Sequence, residues 1–177
     1  MSAGVAAPPE TIEGAVMFTD IVGFTEYTAI EGDAKALELL TLQETLVAET
    51  LPAGARIVKE LGDGLLLWFP EPCEAVLCAL ELQRRFEAQW FESMLPLWVR
   101  MGMHWGRQTR RRDDLVGHDV NLASRIAATA GSGELLVSEA TVNEVRQINP
   151  RTASFDEIGP VTMKGIPDAV RLFRVTA

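Results

Sequence analysis

In the stretch "FTDIVGFT" (18–25) a carboxylate, Asp20, stands where an apolar run stops and a glycine, an aromatic residue and a threonine begin. An aspartate there either punctuates a strand and caps the following helix, or forms half of a site for a metal and a phosphate. In the second case the carboxylate holds a cation and the amides opening the helix face an anion. A second carboxylate, Asp63, lies in "VKELGDGLL" (58–66), between two apolar runs. It reads either as part of an ordinary D-G hairpin turn of type I′ or as the partner of Asp20. Two converging carboxylates with no arginine nearby repel one another unless a cation neutralises them, and oxygen-only ligands point to Mg2+ or Mn2+. Asn121 and Arg125 are four residues apart in "DDLVGHDVNLASR" (113–125). On a helix that spacing projects both from one face, toward a common ligand or simply into solvent. Of three lysines in the chain, Lys59 and Lys164 fall in or beside these segments, the latter in "VTMKGI" (161–166).

Bringing these groups together is the task of the elements that carry them. Apolar spacing predicts a strand over 15–20 and a helix over 33–51, with Ala36, Leu37, Leu40 and Val47 inward and Pro52 ending it. Strands over 56–59 and 65–69 flank "LGDG", a hairpin signal. A helix over 72–91, with Val76, Leu77, Leu80 and Phe86 inward, precedes a strand over 97–104. Strand, helix, strand, strand, helix, strand is the split βαβ order of ferredoxin-like folds. In that fold the first strand lies beside the hairpin, so the end of the strand carrying Asp20 can meet the tip carrying Asp63. The second half adds a short strand over 113–116, a helix over 119–130, a strand over 134–137, a helix over 138–146, and strands over 154–158 and 170–175. No linker rich in Pro, Gly or Ser divides the halves, so the expectation is one α/β (α+β) domain over 14–177, built on an enlarged ferredoxin-like sheet, after a flexible tail over 1–13.

Composition narrows the function classes. At 177 residues, 47% hydrophobic and 23% charged, the chain has enough apolar material for one core without disulfide or metal staples. A net charge of -9 argues against general nucleic-acid binding, which leaves a basic footprint. The longest dense apolar run, Leu65 to Phe69, falls far short of the ~20 residues that cross a bilayer. The first residues, "MSAGVAAPPE", lack the basic and apolar regions of a signal peptide. A soluble, cytoplasmic protein is expected. Cys73 and Cys78, spaced C-x4-C in the third helical segment, suit neither zinc nor a redox pair and read as buried thiols. His104 and His118 are isolated and read as structural.

Taken together, "FTDIVGFT", "VKELGDGLL" and "DDLVGHDVNLASR" resemble the class III nucleotide cyclases, the adenylyl and guanylyl cyclase catalytic domains, over about Gly14 to Val175. The resemblance implies attack of a ribose 3′-oxygen on the α-phosphorus of a nucleoside triphosphate, giving a 3′,5′-cyclic nucleotide and pyrophosphate. It assigns two divalent ions to Asp20 and Asp63, with help from the Ile21 carbonyl, and phosphate oxygens to the amides of Val22, Gly23, Phe24 and Thr25. Asn121 then orients the ribose, Arg125 stabilises the α-phosphate, Lys164 holds the outer phosphates, and Lys59 and Asp114 read the base. Lysine donates and aspartate accepts, which complements the acceptor and donor of an adenine edge, so ATP is expected over GTP. Metal and base residues come from opposite protomers in that family, which implies a head-to-tail homodimer with two equivalent sites. The segment "GRQTRRRDD" (106–114) resembles the compact dimerisation arm of bacterial members. A diguanylate cyclase is disfavoured because its double-glycine acidic hairpin is absent. A guanylate cyclase and a catalytically silent nucleotide-binding module are the alternatives.

Overall fold

The run from Thr11 to Ile21 forms strand β1 because both faces of the sheet it enters are covered, so its middle residues, Ala15 to Met17, are all buried. The computed structural model describes residues 7–177. Beyond β1 the chain continues as α1 (Phe24–Glu31), α2 (Asp33–Thr50), β2 (Arg56–Leu61), β3 (Gly64–Phe69), α3 (Pro72–Ser93), β4 (Val99–Arg111) and β5 (Asp114–Val116). It ends with α4 (His118–Thr129), β6 (Leu135–Ser138), α5 (Glu139–Ile148), β7 (Ser154–Val161) and β8 (Val170–Thr176). The sheet order is β2-β3-β1-β4-β6-β8-β7, with β5 paired to β4. Its first four strands are the ferredoxin-like core anticipated from the element order, and the whole is one mixed α+β sheet domain. No helix among the described residues is long and apolar enough to cross a membrane.

Alternation along the strands separates two cores. Ala15, Met17, Leu65, Leu67, Met101 and Met103 face α2, α3 and α5. Val16 and Leu66 face the other way, where Leu115 of β5 and Val120 and Ala123 of α4 cover them. Helix α4 lies very close to β4. A Cβ at Gly102 would fall 2.0 Å from the Ala127 nitrogen and one at Gly106 would fall 2.1 Å from the Asp119 carboxylate. From Asp119 to Ala127 the helix advances ~12 Å, and the four residues from Gly102 to Gly106 span ~13 Å of strand. The two glycines therefore form a matched bed along which α4 runs antiparallel to β4.

Several expectations are corrected. Residues 11–13, assigned to the tail, belong to β1, whose pairing with β4 begins at Thr11↔Thr109. Gly14, inside β1, is needed for close approach, since a Cβ there would lie 2.4 Å from the Trp68 indole nitrogen. Residues 1–6 of that tail lie outside the described residues. Leu37 and Leu77, expected inward, are 63% and 52% exposed. The buried stripe of α2 is instead Ala36, Leu39, Gln43, Leu46 and Val47. Cys73 and Cys78 are both buried, as expected, and burial pushes the Cys78 thiol up to about 12.

Replacing Gly102 by alanine drives a methyl group into the α4 backbone. The expected cost is ~1–3 kcal/mol, the range for overpacking, read as a lower urea midpoint at unchanged m-value. An unchanged midpoint would show that α4 can lift from β4 freely.

Candidate active site

Strand register assembles the first half of the site. Antiparallel pairing on both sides sets Asp20 opposite Gly64 of β3 and Arg100 of β4. Gly64 lets the strands close at this point, since its Cβ would lie 2.1 Å from the Thr19 carbonyl oxygen. Asp63 precedes it in a two-residue turn with Gly62 at φ 61. Asp63 itself has no positive φ, so the turn has the first-position glycine of type II′ rather than the type I′ pattern. Burial first, then the hydrogen bond and charge of Asp20, push the Asp63 carboxyl up to about 6, against the opposing pull of Arg100. The two carboxylates thus converge where burial and mutual repulsion oppose a second negative charge, a setting that a divalent cation would relieve. Among the described residues no group of three or more His, Cys, Asp or Glu gathers here or elsewhere.

Arg100 corrects the expectation that no arginine lies near this pair. Its Nε and Nη2 donate to Oδ2 of Asp20 at 2.7 and 2.5 Å, and its Nη1 donates to the Ala128 carbonyl of α4 at 3.3 Å. Both bonds to Asp20 fall on one oxygen, which leaves Oδ1 outside the clamp. The sequence carried a signal for this residue: an arginine entering one strand of an antiparallel pair lies beside the carboxylate leaving the other. A second residue, Gln43, was also missed. Only 1% exposed, it accepts from the Thr19 hydroxyl at 3.0 Å and donates to the Asp63 carbonyl at 3.1 Å, while Thr19 Oγ1 accepts from the Leu65 amide at 3.1 Å. One polar side chain in the apolar stripe of α2 therefore ties the neighbour of Asp20 to the turn of Asp63. Its signal was a glutamine four residues from Leu39 and four from Val47.

At the exit of β1, Ile21 is followed by Gly23 at φ 74, which starts α1 with no side-chain cap. The open amides of a helix start suit an anion. The β1–β4 ladder runs one residue beyond Ile21, since the Val22 amide donates to the Trp98 carbonyl at 2.7 Å and is already engaged. Gly23, Phe24 and Thr25 remain.

The other residues gather around α4. Lys59 donates to Oδ2 of Asp114 at 2.9 Å, and Asp114 Oδ1 accepts from the Leu115 amide at 2.7 Å. The hydrogen bond from Lys59, ahead of all other causes, holds the Asp114 carboxyl below the usual range. This pair lines a cleft of about 360 Å³ with Val58 and Arg111 to Asp113, while Asp20 and Arg100 line another of about 240 Å³ with Ser124 and Ala128. Asn121 and Arg125 are exposed on α4, and neither side chain has a hydrogen-bond or ion-pair partner among the described residues. Their neighbours Leu122 and Ile126 pack against Met163 and Ile166, which flank exposed Lys164 in the β7–β8 loop. Asn121, Arg125 and Lys164 therefore rise from one ridge.

The model of the adenylate and guanylate cyclase catalytic domain matches residues 9–176. The chain belongs to this family. An adenylate cyclase of Streptomyces coelicolor is 35% identical to this chain over 141 residues, 79% of this chain and 36% of that protein. The adenylyl cyclase CyaB of P. aeruginosa superposes with a TM-score of 0.82 at 25% identity, covering 95% of this chain and 96% of CyaB. The guanylate cyclase domain of RhGC from Catenaria anguillulae, solved with GTP, has a TM-score of 0.75 at 21% identity, covering 95% and 98%. The chain spans less than half the length of the curated relatives it matches.

Gln43→Leu leaves the Asp63 carbonyl and the Thr19 hydroxyl without their buried partner. A stability loss of ~1–3 kcal/mol is expected, with weaker Mn2+ binding by calorimetry; unchanged values for both would remove its role at the turn. A separate expectation concerns pH. The folded-state value of Asp63, about 6, lies above the ordinary carboxylate value. Asp63 therefore contributes stability to the metal-free protein that is full below the ordinary value and is lost as pH rises through about 6. A cation displaces the same proton, so Mn2+ affinity should rise with pH and level off above that point. Calorimetry in buffers of different ionisation enthalpy checks it, and absence of proton release below that pH would contradict the raised value of Asp63.

Proposed function

We propose that the cyclase acts on ATP, forming 3′,5′-cyclic AMP and pyrophosphate, with each active site completed by residues of a second copy of the chain. The observation that carries the choice of nucleotide is the Lys59–Asp114 pair at 2.9 Å. It holds one donor and one acceptor side by side, the complement of the adenine ring nitrogen and amino group. A guanine edge presents the reverse pattern at those atoms.

Asn121 and Arg125, one turn apart and unpartnered, suit the ribose and the reacting phosphate. Arginine offers several fixed donors to phosphate oxygens as charge builds on them, and Lys164 adds a mobile cation for the outer phosphates. Arg100 is a further cation, half-buried against Asp20, where the phosphate chain must approach the carboxylate pair. Asp20 and Asp63, with the Ile21 carbonyl, are the residues to hold divalent ions such as Mg2+ or Mn2+, which supply activation of the 3′-oxygen and charge for the leaving pyrophosphate. The separate clefts of the carboxylate pair and the base pair within one chain support a head-to-tail homodimer. In that arrangement the carboxylates of one protomer meet the α4 ridge and base pair of its partner.

The test is the product formed by purified protein with Mn2+ and either ATP or GTP. Cyclic AMP from ATP with little cyclic GMP is expected; chiefly cyclic GMP would overturn the base reading. Arg125→Ala should lower turnover ~10²- to 10³-fold, as for loss of a transition-state donor. Mixing Asp20→Ala with Arg125→Ala protein should restore partial activity, since a mixed dimer regains one complete site. Failure to recover activity in demonstrated mixed dimers would argue against a shared site.

A further inference from the structure

Beneath the ridge of Asn121 and Arg125 lies a buried polar chain that the reaction does not touch. His104 is 8% exposed and sits on the same face of β4 as Gly102 and Gly106. Its Nδ1 lies 2.7 Å from Ser138 Oγ, and its Nε2 lies 3.5 Å from Oδ1 of Asp119, in the first turn of α4. Asp119 Oδ2 accepts from the Arg107 backbone amide at 2.7 Å. Ser138 Oγ is 3.2 Å from Thr141 Oγ1, which accepts from the Trp105 backbone amide at 3.0 Å.

We propose that Asp119 and His104 are positioning residues whose contact, between a half-buried carboxylate and a buried ring, pins the first turn of α4 to β4 and thereby sets how Asn121 and Arg125 are presented to the substrate. The inference rests on the cyclase reading of those two residues and adds the device that holds them. Helix α4 starts at Gly117 with no side-chain cap, and Asp119 spends its carboxylate on β4 rather than on the helix's own amides. A methyl group on Gly106 would fall 2.1 Å from that carboxylate and 2.9 Å from His104 Nε2, so the glycine keeps the space in which the two meet. Further along, the Ala127 backbone rests on Gly102 and the Ala128 carbonyl accepts from Arg100. Asn121 and Arg125 lie between these two anchorages, so tilt or rotation of the first turn moves Asn121 directly.

Proton counting from the Asp119 end gives the chain a direction. A carboxylate only accepts, so a neutral ring facing Asp119 carries its proton on Nε2 and accepts at Nδ1 from Ser138 Oγ. Ser138, its one proton spent, then accepts from the Thr141 hydroxyl, which itself accepts from the Trp105 amide. Burial, the leading cause, lowers the pKa of His104 and favours this neutral ring, while Asp119 and, in the opposite sense, His118 act on it through charge. The order Asp-His-Ser is not that of a hydrolytic triad. Serine meets Nδ1 instead of Nε2, and at 2% exposure Ser138 has no access to a substrate.

The experiment is ring-nitrogen NMR of the full chain labelled at histidine, with His104→Gln identifying the His104 signals against those of His118. The wild type should show the Nε2–H tautomer. In Asp119→Asn, a near-isosteric change, the new amide donates where the carboxylate accepted, so the ring should switch to Nδ1–H. The same tautomer in both proteins, or a charged ring at neutral pH in the wild type, would overturn the latch. Turnover supplies the second reading. Asp119→Ala and Asp119→Asn should lower kcat ~10- to 100-fold with KM changed less than about twofold, the range seen when an outer partner of an active group is lost. His104→Gln, which retains a donor toward Asp119, should recover most of the loss seen in His104→Leu. Folded variants with wild-type kcat would refute the positioning role. If the wild type itself forms no cyclic nucleotide, the cyclase reading fails. The latch is then judged by the tautomer switch and by faster amide exchange over 119–125 in Asp119→Ala, whose absence would refute it.

Discussion

Strand β1 is held on both edges by antiparallel ladders that run to its last residues, and the site depends on that double constraint. With Asp20 opposite Gly64 on one side and Arg100 on the other, the carboxylate has no freedom to choose its neighbours. Alternation then sends Thr19 to the α2 side, where Gln43 receives it, and Asp20 to the α4 side, where Ser124 and Ala128 border its cleft. A slip of one residue in either ladder would exchange these faces, putting the hydroxyl in the cleft and the carboxylate in the apolar core. Glycine at position 64 lets the β1–β3 ladder close there, where any Cβ would meet the Thr19 carbonyl.

The two faces of the sheet divide the work. Toward α2, α3 and α5 the packing is almost wholly apolar, and Gln43 is the conspicuous polar member of that cluster's helices. Toward α4 the strand β4 presents Arg100, Gly102, His104, Gly106 and Gln108, a face with little bulk and several polar groups. The small residues bring a helix unusually near, and the polar ones fix it once there. Dispersion and burial thus stabilise the domain from one side, while directional bonds define the geometry of the reacting side.

The elements of the core were legible because their periods are clean. The split βαβ order, the hairpin around "LGDG" and the helix carrying Asn121 and Arg125 all follow from spacing alone. Asp20 and Asp63 could be brought together from that order, because neighbouring strands must share their ends. Arg100 could not be placed without the β1–β4 register, which is a property of the pairing rather than of either strand. Gln43 was hidden by a shifted helical stripe: choosing Leu37 and Leu40 in place of Leu39 turned the helix by part of a turn and put the glutamine outside. Residues 11–13 escaped because the continuous apolar run begins only at Ala15, and Gly14 before it admits the Trp68 ring. His104 gave only the sign of an isolated ring, since its partners lie 15 and 34 positions away in the chain.

Lys59 and Asp114 satisfy one another at 2.9 Å. On the proposed reading of this pair as the base site, an incoming base would compete with that contact, in a cleft where both side chains remain partly open to water. A purine whose edge matches both exchanges one hydrogen bond for two and loses little. A purine with the reversed pattern separates the pair and leaves a donor facing a donor and an acceptor facing an acceptor, a penalty larger than the absence of a bond. Discrimination by such a pair is rejection of the mismatched partner more than attraction of the right one, and its strength is set by how firmly the two residues hold each other when the cleft is empty.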